Sequence, residues 1–189
     1  MICCFKGKFK VTSPRGYRTD PISGEKGIYH KGIDLVGLDD KTVYSVSDGT
    51  VKTAYQANGA GYYVIVTMAD GRRIFYMHLK KDSFKVKTGD KVVKGQALGI
   101  MGSTGYSTGA HTHLELRPKG TTSESLDICE FTGLTNKVGT YEYKESTLDD
   151  DIKVLVKNGV INSPEYWKNK APTVQYLPEL IHNMAEKLR

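Results

Sequence analysis

Long apolar stretches are what this chain of 189 residues most lacks. Its apolar runs are short, Tyr62 to Val66 among them, so no segment can span a bilayer and stable membrane insertion is excluded. Cysteine is scarce as well. Cys3, Cys4 and Cys129 are an odd number without C-x-x-C spacing, which excludes a disulfide framework and a thiolate zinc site. The Cys3-Cys4 pair, beside a terminus, is expected to be incidental. Only five apolar residues precede Lys6, too few for the core of a secretory signal, so synthesis in the cytoplasm without a signal peptide is expected. With 39% hydrophobic and 25% charged residues, disordered and collagenous classes fall away. What remains is a globular chain, of a size that keeps roughly 70% of its unfolded surface out of water.

Charge and periodicity divide the chain. The net charge of +6 lies wholly in residues 1–145, where 21 Lys and Arg face 15 Asp and Glu; the remainder holds 6 of each. Lys80, Lys81, Lys85, Lys87, Lys91 and Lys94 concentrate the excess. A basic face suits an anionic polymer, but no aromatic-interleaved nucleic-acid motif accompanies it, and a solvated lysine surface explains it better. Nucleic acid is therefore not an expected partner. Residues 5–130 read as short strands: Phe9 and Val11 alternate with polar neighbours, as do Val43, Val46 and Val51, followed by Tyr62–Thr67, Arg73–Leu79 and His113–Arg117. Turn signals such as Asp48-Gly49, Asn58-Gly59 and Asp70-Gly71 separate them. The spacing predicts a mainly β, antiparallel domain over residues 1–130. After a Gly-, Thr- and charge-rich linker over 131–147, a small α-helical domain is expected over 148–189. There Leu148, Ile152, Leu155 and Val156 recur at helical spacing behind Asp149–Asp151, and Gly159 ends the helix. Ser163-Pro164 starts a short second helix, and Leu177–Leu188 form a third. Trp167 is expected in the small core, and His182 facing solvent.

Four of the five histidines fall in strand or glycine-loop settings. In His111-Thr112-His113 two imidazoles share one face of a strand. His30 and Asp34 share one side of a strand or helix, with Gly27, Gly32 and Gly37 favouring strand or loop. His78 follows Tyr76-Met77, a setting that equally suits a hydrogen-bonded core histidine. Together these supply imidazoles and a carboxylate of the kind that hold catalytic zinc, which takes three nitrogen or oxygen ligands and leaves a fourth position for water. Glu115, two residues beyond His113, is either a support for that histidine or an outward surface residue. The glycines at 99, 102 and 105 lack the Lys-Ser/Thr ending of a phosphate loop and read as turns.

Taken in order, FKVTSPRGYRTDPISGEKGIYHKGIDLVG, TVYSVSDGTVKTAY, GAGYYVIVTMADGRRIFYMHL and VKTGDKVVKGQALGIMGSTGYSTGAHTHLELR resemble the lysostaphin/LytM-type zinc metallo-endopeptidases, which cut peptide cross-links in bacterial cell walls. Met77 and Thr112 depart from that pattern, where a small residue and a leucine are common. The resemblance implies a LytM-like antiparallel β fold with a groove over the metal. It implies that His30, Asp34 and His113 bind Zn2+, and that His111 and His78 line the water and the scissile bond. His111 would then serve as proton carrier, and His78 as donor to the oxyanion. Tyr29 and Tyr106 stay unassigned. The segment LVKNGVINSPEYWKN…VQYLPELIHNMAEKL resembles modules of phage and prophage lysins, which implies an endolysin made in the host cytoplasm and acting on the wall after release.

The implied function is a zinc-dependent peptidoglycan endopeptidase with cross-link peptides as partner. The helical tail would bind wall, pair two copies as a homodimer or brace the first domain. Two rivals share the fold: a non-catalytic wall-binding or regulatory protein, which would ordinarily lack the ligands, and a tail-associated structural lysin. The choice between glycyl-glycine and D-alanyl-diaminopimelate cross-links lies in groove loops that the sequence does not spell out.

Overall fold

Alternation sets the strands. In β1 (Gly7–Ser13) Phe9 and Val11 are buried while Lys8 and Lys10 are exposed, so one face of the strand meets the core and the other meets water. The structure, a computed structural model, describes residues 1–121, 123–173 and 177–189. It separates into two compact units, Met1–Tyr143 and Lys144–Arg189.

The first unit is built on an antiparallel sheet of eight strands, together with two strand pairs. The strands are β2 (Gly16–Arg18), β3 (Ile28–His30), β4 (Ile33–Gly37), β5 (Thr42–Tyr44), β6 (Gly49–Gln56), β7 (Gly61–Thr67), β8 (Arg73–Leu79), β9 (Lys91–Val92), β10 (Ala97–Ile100), β11 (Thr112–Arg117) and β12 (Gly139–Tyr143). The large sheet runs β12-β1-β4-β11-β8-β7-β6-β9, while β10 pairs with β5 and β2 with β3. Its core face gathers Phe9, Val11, Ile33, Leu35, Val64, Val66, Ile74, Tyr76, Leu114 and Leu116. Each such side chain contributes about 1.5–3 kcal/mol when fully buried. Tyr76 is fully enclosed, and its hydroxyl accepts from the Val46 N–H at 2.8 Å, which satisfies the one polar atom brought inside.

Two expectations need correction here. Cys3 and Cys4 are not incidental: both lie in the core beside Phe5, and the Ile2 N–H donates to the Thr132 carbonyl at 2.6 Å. All three thiols are free and buried. Burial pushes the Cys4 thiol well above its ordinary range, and pushes Cys129 up to about 11. The linker is also narrower than 131–147, because Gly139–Tyr143 pairs with β1 from Gly7↔Tyr143 to Val11↔Gly139. An unexpected short helix, α1 (Ile128–Thr132), precedes it, with the Asp127 carboxylate accepting from the N–H groups of Cys129 and Glu130.

The second unit has its own core. α2 (Leu148–Lys157), α3 (Pro164–Lys170) and α4 (Leu177–Glu186) gather Ile152, Leu155, Ala171, Ile181 and Ala185, with Trp167 packed against them. Tyr166, by contrast, is exposed. Thr147 caps α2 reciprocally with Asp150, and Gly159 beyond its end has φ 69°. His182 does not face solvent freely: its Nδ1 lies 3.0 Å from Asp151, a buried carboxylate that also accepts from Arg189 at 2.5 Å. A buried acid needs such partners.

Candidate metal centre

The alternation that buries Leu114 and Leu116 turns His113, Glu115 and Arg117 to the opposite face of β11. Register places His113 opposite Asp34 on β4 and Met77 on β8. His30 arrives differently from what its i,i+4 spacing suggests. It ends β3, in a separate strand pair, and the chain breaks at Lys31-Gly32 before Asp34 enters the main sheet. Gly32 is required by contact: a Cβ there would lie 2.4 Å from the Leu114 carbonyl oxygen and 2.7 Å from His113 Nε2.

Three donor atoms meet at this place. His113 Nδ1 is 2.9 Å from Asp34 Oδ1 and 2.9 Å from His30 Nε2, and His30 Nε2 is 3.2 Å from Asp34 Oδ1. Ligands about 2.0–2.1 Å from a tetrahedral zinc are about 3.3–3.4 Å apart, so the triangle is a few tenths of an ångström tighter than one face of that tetrahedron. Tautomers agree with the geometry. His30 Nδ1 lies 2.7 Å from the Pro14 carbonyl, which can only accept; the ring proton is held there and Nε2 keeps its lone pair. His113 Nε2 faces Glu115 at 3.3 Å, leaving Nδ1 for a cation. The donor set and its orientation therefore fit zinc, and this is the group of His, Cys, Asp and Glu that could hold a metal ion among the described residues.

The surrounding carboxylates draw positive charge to this place, a proton on His113 or a cation that displaces it. Burial alone would raise the Asp34 pKa, but hydrogen bonds from His113 and His30 outweigh it and hold the carboxyl far below its usual range. Burial likewise disfavours a charged His113, yet Asp34 and Glu115 push it up to about 9. Glu115 is buried rather than outward. Despite desolvation it is held down to about 2 by His113 and Arg117, whose guanidinium donates to both carboxylate oxygens at 2.8 and 3.0 Å and lies 4.0 Å over the Phe75 ring. On the other side, Arg18 Nη1 lies 3.1 Å from Asp34 Oδ2.

Two further imidazoles flank the triangle. His111 sits just before β11; its Nδ1 lies 2.8 Å from the Gly109 carbonyl and its Nε2 3.7 Å from Asp34 Oδ1. Its ring centroid is 4.7 Å from that of His78. His78 Nδ1 lies 2.8 Å from the Thr104 carbonyl, and burial, assisted by the neighbouring imidazoles, depresses its pKa to about 4. Neutral His78 thus carries its proton on Nδ1 and offers a lone pair at Nε2. Donation to an oxyanion, the role the resemblance implies for His78, would use the charged ring, which burial disfavours. Thr104 closes the clamp: its hydroxyl donates to the Leu79 carbonyl at 2.6 Å and accepts from the Tyr62 N–H at 2.9 Å.

His78 also has φ 63°, where the β7–β8 register slips between Tyr62 and Val64. A left-handed backbone costs a non-glycine residue roughly 1–2 kcal/mol. His78→Gly should accordingly be about 1 kcal/mol more stable than His78→Ala in chemical denaturation. Equal midpoints would mean that the bulge relaxes once the imidazole is gone. The tyrosines left open by the sequence lie outside the donor set: the Tyr29 hydroxyl accepts from Arg15, and the Tyr106 hydroxyl lies 3.3 Å from Asp20.

Residues 28–125, which include all five of these side chains, match peptidase family M23. The chain belongs to peptidase family M23. Among solved structures, the M23 chain is similar to the catalytic domain of the antimicrobial peptidase lysostaphin from Staphylococcus simulans, with a TM-score of 0.59 and 31% identity, covering 66% of this chain and 92% of that one. Glycyl-glycine endopeptidase ALE-1 of Staphylococcus capitis is 36% identical over 151 residues, 69% of this chain and 41% of that protein. Endolysin 2638A of Staphylococcus phage 2638A is 26% identical over 180 residues, 89% of this chain and 36% of that protein. The chain spans from 25% to 41% of the length of the first curated relatives it matches.

Proposed function

We propose that this M23 chain is a zinc-dependent peptidoglycan endopeptidase that hydrolyses peptide cross-links of the bacterial wall. The observation that carries this reading is the convergence of His30 Nε2, Asp34 Oδ1 and His113 Nδ1 beside the imidazoles of His111 and His78. Zinc held by the three would supply a Lewis acid that polarises the scissile carbonyl and makes water acidic enough to ionise near neutral pH. The remaining steps belong to the chain. His111, its Nδ1–H fixed on Gly109, accepts the proton of the attacking water at Nε2 and passes it to the leaving amine. His78, kept neutral, accepts from the same water and orients it. Glu115 and Arg117 hold the His113 ring in place. The complete donor set speaks against a non-catalytic wall-binding role.

The relatives support a wall peptide as substrate, one being named a glycyl-glycine endopeptidase. The endolysin assignment rests on the likeness to Endolysin 2638A, which reaches over 89% of the chain, and implies action on the wall after release from the producing cell. Mass spectrometry of fragments released from walls of defined cross-link type tests the reading. Cross-linked dimers should be converted to monomers with a new amino terminus, chelator should stop the conversion, and zinc should restore it. Intact cross-links, or cleavage indifferent to chelator, would overturn the proposal.

A further inference from the structure

Every donor in the triangle has a second polar atom, and each of those atoms is already engaged. His30 Nδ1 is on the Pro14 carbonyl, His113 Nε2 faces Glu115, and Asp34 Oδ2 accepts from Arg18. The last contact differs in kind, because a carboxylate can give a cation one oxygen or two. β2 delivers the guanidinium: it pairs with β3 so that Gly16 lies opposite His30 and Arg18 opposite Ile28, which carries the arginine to the edge of the donor set. Ser13, at the end of β1 and in register with Asp34, accepts from the same Nη1. The guanidinium is therefore fixed from two sides, and the Asp34 main chain is held as well, its carbonyl accepting from Thr12 at 3.2 Å.

We propose that Arg18 is a positioning residue that reserves one oxygen of Asp34, so that the carboxylate presents only Oδ1 to the cation and the cation keeps a coordination position for substrate. This rests on the reading of His30, Asp34 and His113 as a metal centre, and it adds to that reading the element that limits ligand number. The same contact draws electron density from the carboxylate, which leaves a cation there more electrophilic than a free aspartate would. Arg18 thus trades binding strength for reactivity. A residue that merely braced the loop would, on removal, weaken binding and activity together.

Cobalt(II) provides the test, since its visible absorption is intense when four-coordinate and weak when the coordination number rises. The full chain, Arg18→Met and Arg18→Lys are titrated with cobalt alone, and wall hydrolysis is measured on the zinc-loaded proteins. Arg18→Met is expected to give a markedly weaker visible band and about ten- to a hundredfold less hydrolysis, with cobalt affinity retained or raised. Arg18→Lys, which keeps a cation within reach of Oδ2, should move each readout less. An unchanged band in Arg18→Met, affinity lost in step with activity, or a larger effect in Arg18→Lys than in Arg18→Met would overturn the assignment. Failure of the unaltered chain to bind cobalt would instead overturn the metal centre itself, so the two ideas fall to different results.

Discussion

His113→Ala is expected to lose both metal and wall hydrolysis, whereas His111→Ala keeps close to one equivalent of zinc and loses turnover by about 10²- to 10⁴-fold, the usual contribution of a positioned proton carrier. The two residues are two apart in sequence, yet the proposed function gives them separate tasks. His113 Nδ1 forms two edges of the donor triangle, at 2.9 Å each, and its removal leaves only His30 and Asp34 facing each other. It would also strand the buried Glu115 without one of its partners. His111 stands 3.7 Å from Asp34 Oδ1, outside the triangle but next to it. Elemental analysis of purified variants, with hydrolysis measured on the same preparations, decides the matter. If both kept metal and both cleaved wall, the division of roles would be wrong.

Gly32→Ala should be nearly as damaging without touching any donor. The added methyl group would fall 2.4 Å from the Leu114 carbonyl oxygen and 2.7 Å from His113 Nε2, so either β11 or the imidazole has to move. Overpacking of this kind typically costs about 1–3 kcal/mol, and displacement of the ring adds the loss of metal. Gly109→Ala is the matched control, because a methyl group added there would meet nothing within 4 Å, even though the residue lies close to His111. That substitution should stay within about 0.5 kcal/mol of the parent. Denaturation midpoints together with zinc content separate the cases. A Gly32→Ala protein with full metal would show that the strand junction yields more readily than its contacts indicate.

Much of this was legible in the residues, and the rest was hidden for identifiable reasons. Period-two alternation revealed β1 and β11, whereas β7 and β8 showed as short apolar runs because both of their faces carry buried side chains. The edge strand β12 stayed hidden because none of its residues is fully buried; Gly139–Tyr143 alternates only between half-buried and exposed. His-x-His told the truth about its strand face, while the spacing of His30 and Asp34 did not reveal that they belong to two different sheets. The composition of Cys3-Cys4-Phe5 could not show that a terminal segment packs inside. His182 looked solitary along the chain because its partner Asp151 is 31 residues away, across two helices. Arg18, Thr104 and Arg117 carried no local signal at all. Their roles arise from partners delivered by tertiary structure, and in the case of His78 from a carbonyl 26 residues away that fixes its tautomer.

The enclosed thiols of the first unit have a consequence for endurance. The proposed action on the wall would place the chain among extracellular oxidants, and there the fold itself would shelter the buried Cys3, Cys4 and Cys129. Their oxidation would wait on local or global opening of the fold, so a working lifetime in such surroundings would be set by how seldom that opening occurs.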